Sequence, residues 1–239
     1  MSHLFIADLH LNDQQPEIYD RFKEFLDNKA RNARALYILG DLFEYYLGDD
    51  AISGVAKKVC DDIKHLVSAH KIKCYFMHGN RDFLVSSGFA KQASIEILDD
   101  PSLIQIDDKK VILTHADALC TDDTEYQKVR IQLRDPQWQQ WFLSQSIQER
   151  IAFAEQARIK SQQHTQSSVD EIMDVNQGAV DDLFMKFQTP YMIHGHTHRP
   201  SFHTHMINNF SHNRMVVGDW HFQTSYIEYK NNNFQLVTC

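Results

Sequence analysis

Seven residues could hold divalent cations, and they arrive in a fixed order of motifs: Asp8-Leu9-His10, Gly40-Asp41, Gly79-Asn80-Arg81-Asp82, His115, and Gly195-His196-Thr197-His198. Carboxylate, amide and imidazole groups without a thiolate suit borderline ions such as Mn2+, Fe2+, Co2+ or Zn2+ better than Ca2+, or Mg2+ alone. Seven ligands are too many for one ion, and with one carboxylate shared they divide between two. A pair of ions about 3.5 to 4 Å apart clamps phosphoryl oxygens and neutralises charge in an in-line displacement, so the chemistry indicated is hydrolysis of a phosphoester or phosphoanhydride. Taken singly, each motif is weak, since a lone strand-end histidine is more often hydrogen-bonded in a loop than a ligand. The ordered set carries the reading.

Each motif closes a short apolar run: Leu4 to Asp8, Ala35 to Asp41, Lys73 to Asn80, Val111 to His115, and Tyr191 to His198. Such runs read as buried strands. Between them, Ile18, Phe22, Phe25 and Leu26, then Val55, Val59, Ile63, Leu66 and Val67, repeat at helical spacing, so the fold class is layered α/β. Strand ends at one edge of such a sheet converge, which would gather the seven ligands. If the backbone stays extended, Asp8 and His10 point the same way around Leu9, as do His196 and His198 around Thr197.

From Asp122 to Phe187 the rhythm becomes all-helical, broken only by Pro136. Trp138, Trp141 and Phe142 would share one aromatic face, continued by Ile147, Ile151 and Ala154. Residues 1–121 and 188–239 are thus expected to form the core, with 122–187 as an inserted lid. Met215 to Val217 and Ser225 to Tyr229 read as strands closing a sheet.

The chain has 239 residues, 43% of them hydrophobic, enough for one large domain or a domain with an insert. A net charge of -8 argues against a nucleic-acid binder, which needs a basic surface. Cys60, Cys74, Cys120 and Cys239 form no C-x-x-C pair, so buried or idle thiols are expected rather than a disulfide framework. The N-terminus lacks a basic leader and no run approaches the roughly 20 apolar residues of a membrane span. A cytoplasmic protein with at most peripheral membrane contact is the expectation.

Over Asp8 to His198 the motifs resemble the calcineurin-like metallophosphoesterases, whose fold is a four-layer αββα sandwich. The resemblance implies that Asp8, His10, Asp41 and His198 hold one metal while Asp41, Asn80, His115 and His196 hold the other, with Asp41 bridging. Gly40-Asp41-Leu42-Phe43-Glu44 lacks the D-R-G continuation of the protein Ser/Thr phosphatase branch. His78 to Leu84, Leu119 to Asp123, Ile172 to Asn176 and His194 to Pro200 resemble instead the branch that hydrolyses UDP-2,3-diacylglucosamine in lipid A biosynthesis, and that similarity covers nearly the whole chain.

What this resemblance implies is a cofactor of two divalent ions, with Mn2+ expected, and a lipid-linked nucleotide-sugar substrate cleaved at its α-phosphorus to UMP and 2,3-diacylglucosamine 1-phosphate. It also implies peripheral contact with the cytoplasmic face of the inner membrane and no nucleic acid. Catalytic roles would fall to Asp41, Asn80, Arg81 and His196, and substrate contacts to Asn80, Arg81, Asp123, Ser161, Thr165, Ser168 and His196. Thr165 stands where asparagine is usual and Ser168 where lysine is usual, so Lys160 would have to supply a lost charge. Ala116 replaces a usual glycine, a swap expected to be tolerable only at negative φ.

Residues 126–168 carry six Lys or Arg against three acids, a basic excess that with the aromatic face would suit a cap over an anionic lipid. A solvated helical face is the plainer alternative. Other readings are a general nucleotide-sugar pyrophosphatase or phosphodiesterase, a metal-free scaffold of the same fold, and a nuclease, the last opposed by the acidic charge. His203 and His205 are expected at the surface.

Overall fold

In the computed structural model, residues 1–167 and 174–239 are described, with side chains for 1–160 and 174–239. The strands are β1 (His3–Ile6), β2 (Ala35–Leu39), β3 (Lys73–Met77), β4 (Glu96–Leu98), β5 (Ser102–Ile106), β6 (Lys109–Thr114), β7 (Tyr191–His194), β8 (Ser201–Ile207), β9 (Phe210–Val216), β10 (Ser225–Lys230) and β11 (Asn233–Thr238). The helices are α1 (Pro16–Asn28), α2 (Gly54–His70), α3 (Ser87–Ala93), α4 (Thr124–Arg134), α5 (Pro136–Leu143), α6 (Ile147–Ser167) and α7 (Gln177–Phe187). One sheet runs β11-β10-β1-β2-β3-β4 and the other β5-β6-β7-β9-β8. In the first, β1 to β4 are parallel. In the second, β6, β7 and β9 are parallel.

Alternation along the central strands makes the layers. Phe5, Ala35, Tyr37 and Leu39 point into a core shared with Val111, Leu113, Ile193 and Met215 of the second sheet. Leu4, Ile6, Leu36 and Ile38 point the other way, onto Phe22 and Phe25 of α1 and Val59 and Ile63 of α2. On the far side, Ile112 and Met192 pack against Val180 and Phe184 of α7. Helix, sheet, sheet and helix therefore stack as an αββα sandwich, the architecture expected from the motifs, and the central strands β1 and β2 are buried along their whole length because both faces of their sheet are covered.

The chain from 122 to 187 differs in detail from the expectation. It is helical among the described residues, but it breaks at Ser144–Ser146 as well as before Pro136. Ser146 and Glu149 form a capping box there, the Ser146 backbone N–H donating to Glu149 Oε2 at 2.9 Å. α7 belongs to the outer layer of the sandwich rather than standing over it. Asp122 and Asn176 join the two ends of the excursion, Asn176 Nδ2 donating to Asp122 Oδ2 at 2.9 Å.

Four of the six basic residues of the excursion are turned to the sandwich rather than to an open cationic face. Arg130 Nε donates to Asp117 Oδ2 at 2.8 Å, Arg150 Nη1 to Asp50 Oδ1 at 2.8 Å, and Arg134 Nη2 to the Gly79 carbonyl at 2.9 Å. Arg158 pairs with Glu44. Three of these cations are paired with acids of the sandwich and the fourth with a backbone carbonyl, so the local excess of three is largely neutralised and does not support an anionic-lipid cap. His205 is a second correction: it is buried, with Arg214 Nε donating to its Nε2 at 3.3 Å, because β8 carries it under α7 rather than out to solvent. His203 beside it is half-buried.

Candidate metal centre

All five motifs lie just past the C-terminal ends of parallel strands, β1, β2, β3, β6 and β7, at the middle of the two sheets. The backbone there is not extended, contrary to the alternation argument. Asp8, His10, Asp41, His196 and His198 have φ of 57°, 52°, 52°, 68° and 55°. Non-glycine residues in the left-handed region carry strain, and clustering at one site is characteristic of function. The chain holds them there with backbone bonds across the strand ends, Asp8 N–H to the Gly40 carbonyl at 3.1 Å and His10 N–H to the Asp41 carbonyl at 2.9 Å. Gly40 itself has φ 91°, and a Cβ on it would lie 2.6 Å from His115 Nδ1.

The seven ligand candidates come together. Asp41 Oδ2 lies 3.8 Å from His10 Nε2 and its Oδ1 lies 3.7 Å from His115 Nε2, so its two oxygens face two halves of one site. Asp8 Oδ1 is 3.7 Å from His198 Nε2. Asn80 Oδ1 is 3.0 Å from both His115 Nε2 and His196 Nδ1. Ligand atoms of Asp8, His10 and His198, and again of Asp8, Asp41 and His115, lie within 4.8 Å of one another.

The donor set fits divalent cations. Asp8 Oδ1 is buried with no hydrogen-bond partner, a cost that a cation would remove. His115 Nδ1 faces the Leu39 carbonyl at 2.8 Å and so donates to it, and in the neutral ring that a metal needs, the Nε2 lone pair is aimed at the site. Burial opposes charge at His115, but the carboxylates of Asp41 and Asp8 outweigh it and raise its pKa to about 9. Burial also opposes charge at Asp8, yet the positive charges of His198, His115 and His10 hold its carboxyl well below the usual range. Burial and the charge of His115 push His196 down to about 4. The carboxylates thus demand positive charge at this spot, and without ions a buried imidazole supplies it.

Three carboxylates outside the expected set organise these ligands. Asp82 is fully buried, accepting the Leu42 and Gly79 N–H groups at 2.8 and 2.9 Å and so fixing the two loops that carry Asp41 and Asn80. Glu44 Oε2 lies 3.3 Å from His10 Nδ1, and Asp219 Oδ2 lies 3.8 Å from His198 Nδ1. A carboxylate behind a ligand imidazole sets its tautomer and orientation. Glu44 sits three residues after Asp41, which was a local hint; Asp219 had none.

The substrate candidates divide. Arg81 donates its backbone N–H to Asp41 Oδ1 at 2.8 Å and, with Asn80, lines a cavity of about 460 Å3 beside the site. The far wall of that cavity is Trp138, Phe142, Phe153 and Ala154. Trp138 stacks on Phe142 with ring centroids 5.1 Å apart, whereas Trp141 and Ile147 face outward, so the expected single face is split. Asp123 caps α4, accepting the Tyr126 N–H at 2.9 Å. Ser168 lies outside the described residues, as do the side chains of Ser161 and Thr165. Ala116 has φ 85°, not the negative value set as the condition for tolerance. Its methyl is buried among Ile112, Leu119 and Val180, and that burial, about 0.8 kcal/mol, offsets part of a left-handed cost of roughly 1–2 kcal/mol.

The sequence signature of calcineurin-like phosphoesterases matches residues 1–200. The chain is 44% identical to the UDP-2,3-diacylglucosamine hydrolase of Aromatoleum aromaticum, over 96% of this chain and 93% of that protein. It is 44% identical to the protein of that name from Stenotrophomonas maltophilia, over 100% and 98% of the two chains, and 41% identical to one from Yersinia pseudotuberculosis, over 100% and 99%. Among solved structures, an archaeal phosphodiesterase superposes with a TM-score of 0.52 at 13% identity, covering 100% of both chains, a likeness of fold alone.

Proposed function

The chain belongs to the calcineurin-like phosphoesterase family, and from that membership and the ligand cage we propose that it hydrolyses UDP-2,3-diacylglucosamine at the α-phosphorus, giving UMP and 2,3-diacylglucosamine 1-phosphate in lipid A biosynthesis. The observation that carries the reading is the cavity, which runs from Asn80 and Arg81 to Trp138, Phe142 and Phe153 and so offers one polar end beside the cage and one apolar end. A general nucleotide-sugar pyrophosphatase would have no use for the apolar end.

The family uses divalent metals, and Mn2+ is our choice of ion, held by Asp8, His10, Asp41 and His198 on one side and Asp41, Asn80, His115 and His196 on the other. Bound there, the ions would supply an activated water and stabilise charge on the phosphoryl oxygens. The chain's own groups position the rest. Arg81 presents a planar fork suited to the diphosphate, and Asn80 and His196 flank the reacting end. Asp123, Ser161, Thr165 and Ser168 are assigned to the nucleotide-sugar, with Lys160, which also lines the cavity, in place of the missing charge. α4, α5 and α6 cover the apolar end and exclude water from it.

No helix among the described residues is long and apolar enough to cross a membrane. Peripheral contact with the inner face of the membrane is proposed through Val129, Ile131, Trp141 and Ile159, which expose apolar surface on α4, α5 and α6. The test is UMP release from UDP-2,3-diacylglucosamine by Mn2+-loaded protein, compared with UDP-N-acetylglucosamine. Equal turnover of the two would favour the general pyrophosphatase.

A further inference from the structure

Glu44 stands between the metal centre and the covering helices. Its backbone is pinned to the loop after β1 that carries His10, the Glu44 N–H donating to the Leu11 carbonyl at 3.1 Å. Oε2 lies 3.3 Å from His10 Nδ1, and Oε1 lies 2.9 Å from Arg158 Nε on α6. Both Glu44 and Arg158 also line the cavity. One carboxylate thus touches a metal-ligand imidazole with one oxygen and the cover with the other.

We propose that Glu44 is a positioning residue that couples α6 to the metal centre, so that the cation affinity of the Asp8, His10 and His198 group depends on α6 being docked. The inference rests on the metal reading above. With Arg158 paired, Glu44 is held at the ring of His10 and fixes its orientation. With Arg158 gone, Glu44 gains rotamer freedom and the ring loses its brace. Binding energy from a ligand that seats α6 would then be felt at the cations, and the cations would in turn favour the docked helix, since coupling between binding sites is reciprocal.

The experiment titrates metal-free protein with Mn2+ and counts free ion by electron paramagnetic resonance. Wild type is expected to bind two ions. Glu44→Gln, close in shape, should weaken one of them by about 10- to 100-fold and leave the other unchanged. Arg158→Met should weaken the same ion by a smaller factor, Arg158→Lys should restore part of the loss, and adding Arg158→Met to Glu44→Gln should cause no further loss. Wild-type affinity for both ions in either single variant would overturn the coupling while leaving the metal reading intact. Failure of the wild type to bind two Mn2+ ions would overturn the metal reading and the coupling with it. Because Arg158 lies on the cover, its variant reports on coupling even if Glu44→Gln unfolds.

Discussion

His10 and His198 aim their Nε2 atoms at each other across 3.3 Å, while the Nδ1 of each faces a carboxylate, Glu44 for His10 and Asp219 for His198. A carboxylate behind Nδ1 favours the proton there, which leaves two lone pairs opposed. Such a pair is stable only with a proton or a cation between the rings. Asp8 and Asp41, buried beside them, add the negative charge that makes a divalent ion the better occupant.

Replacing the carboxylate that faces both halves of the site should disable turnover without loss of fold. Asp41→Asn keeps side-chain volume but removes a charge shared by two cations. We expect kcat/KM to fall by about 10^3-fold or more, a transition-state loss of at least about 4 kcal/mol, with an unchanged circular dichroism spectrum. Near-wild-type activity with two ions bound would refute the bridging assignment.

Asp82 carries a purely structural prediction. Its carboxylate accepts backbone N–H groups from both ligand loops. Asparagine offers one acceptor oxygen and turns an amide donor toward those N–H groups. Asp82→Asn should cost about 2–3 kcal/mol in urea denaturation. A change under about 0.5 kcal/mol would mean that the loops hold without it.

The pH dependence of the metal-free protein follows from His115. Its folded pKa, about 9, lies above its unfolded value of 6.5, so its contribution is fully present below pH 6.5 and is lost as pH rises through 9. Burial and then the Asp41 charge also raise Asp82, from 3.8 to about 7, so its contribution is present below pH 3.8 and is likewise lost as pH rises, by about pH 7. The Tm of chelator-treated protein should therefore fall between pH 7 and 9.5. Mn2+ uptake over the same range should release protons, because ligation needs neutral His115. A flat Tm and no proton release would show that His115 is not the buried cation.

The cavity should make the acyl chains a main source of affinity. Burying a methylene is worth about 0.8 kcal/mol, so a chain of roughly ten carbons could contribute up to about 8 kcal/mol before ordering costs. Substrate stripped of its chains should lose several orders of magnitude in kcat/KM, since remote binding energy aligns the diphosphate. Ala154→Trp, which fills the apolar end, should raise KM for the acylated substrate by tenfold or more. If it leaves KM unchanged, the chains bind elsewhere.

The seven ligands and the strands that carry them were legible because each motif ends a buried apolar run, a pattern local in sequence. Their backbone was not: Asp8-Leu9-His10 reads as alternation, yet left-handed turns at both ligands aim them inward. That geometry is imposed by β1 and β2 pairing side by side, a long-range fact. β4, β5, β8 and β11 were missed because edge strands mix polar and apolar residues. The partner of Arg150 was illegible because Asp50 stands 100 residues away and only the folded chain brings the two together, and that of Arg130 because the turn between Asp117 and α4 sets their approach.

The most direct test of the central claim is isotopic. Pure protein, Mn2+ and UDP-2,3-diacylglucosamine are incubated in 18O water, and both products are weighed by mass spectrometry. Attack at the α-phosphorus places one 18O in UMP and none in 2,3-diacylglucosamine 1-phosphate. Label in the sugar phosphate, or no cleavage with two ions bound, would contradict the account.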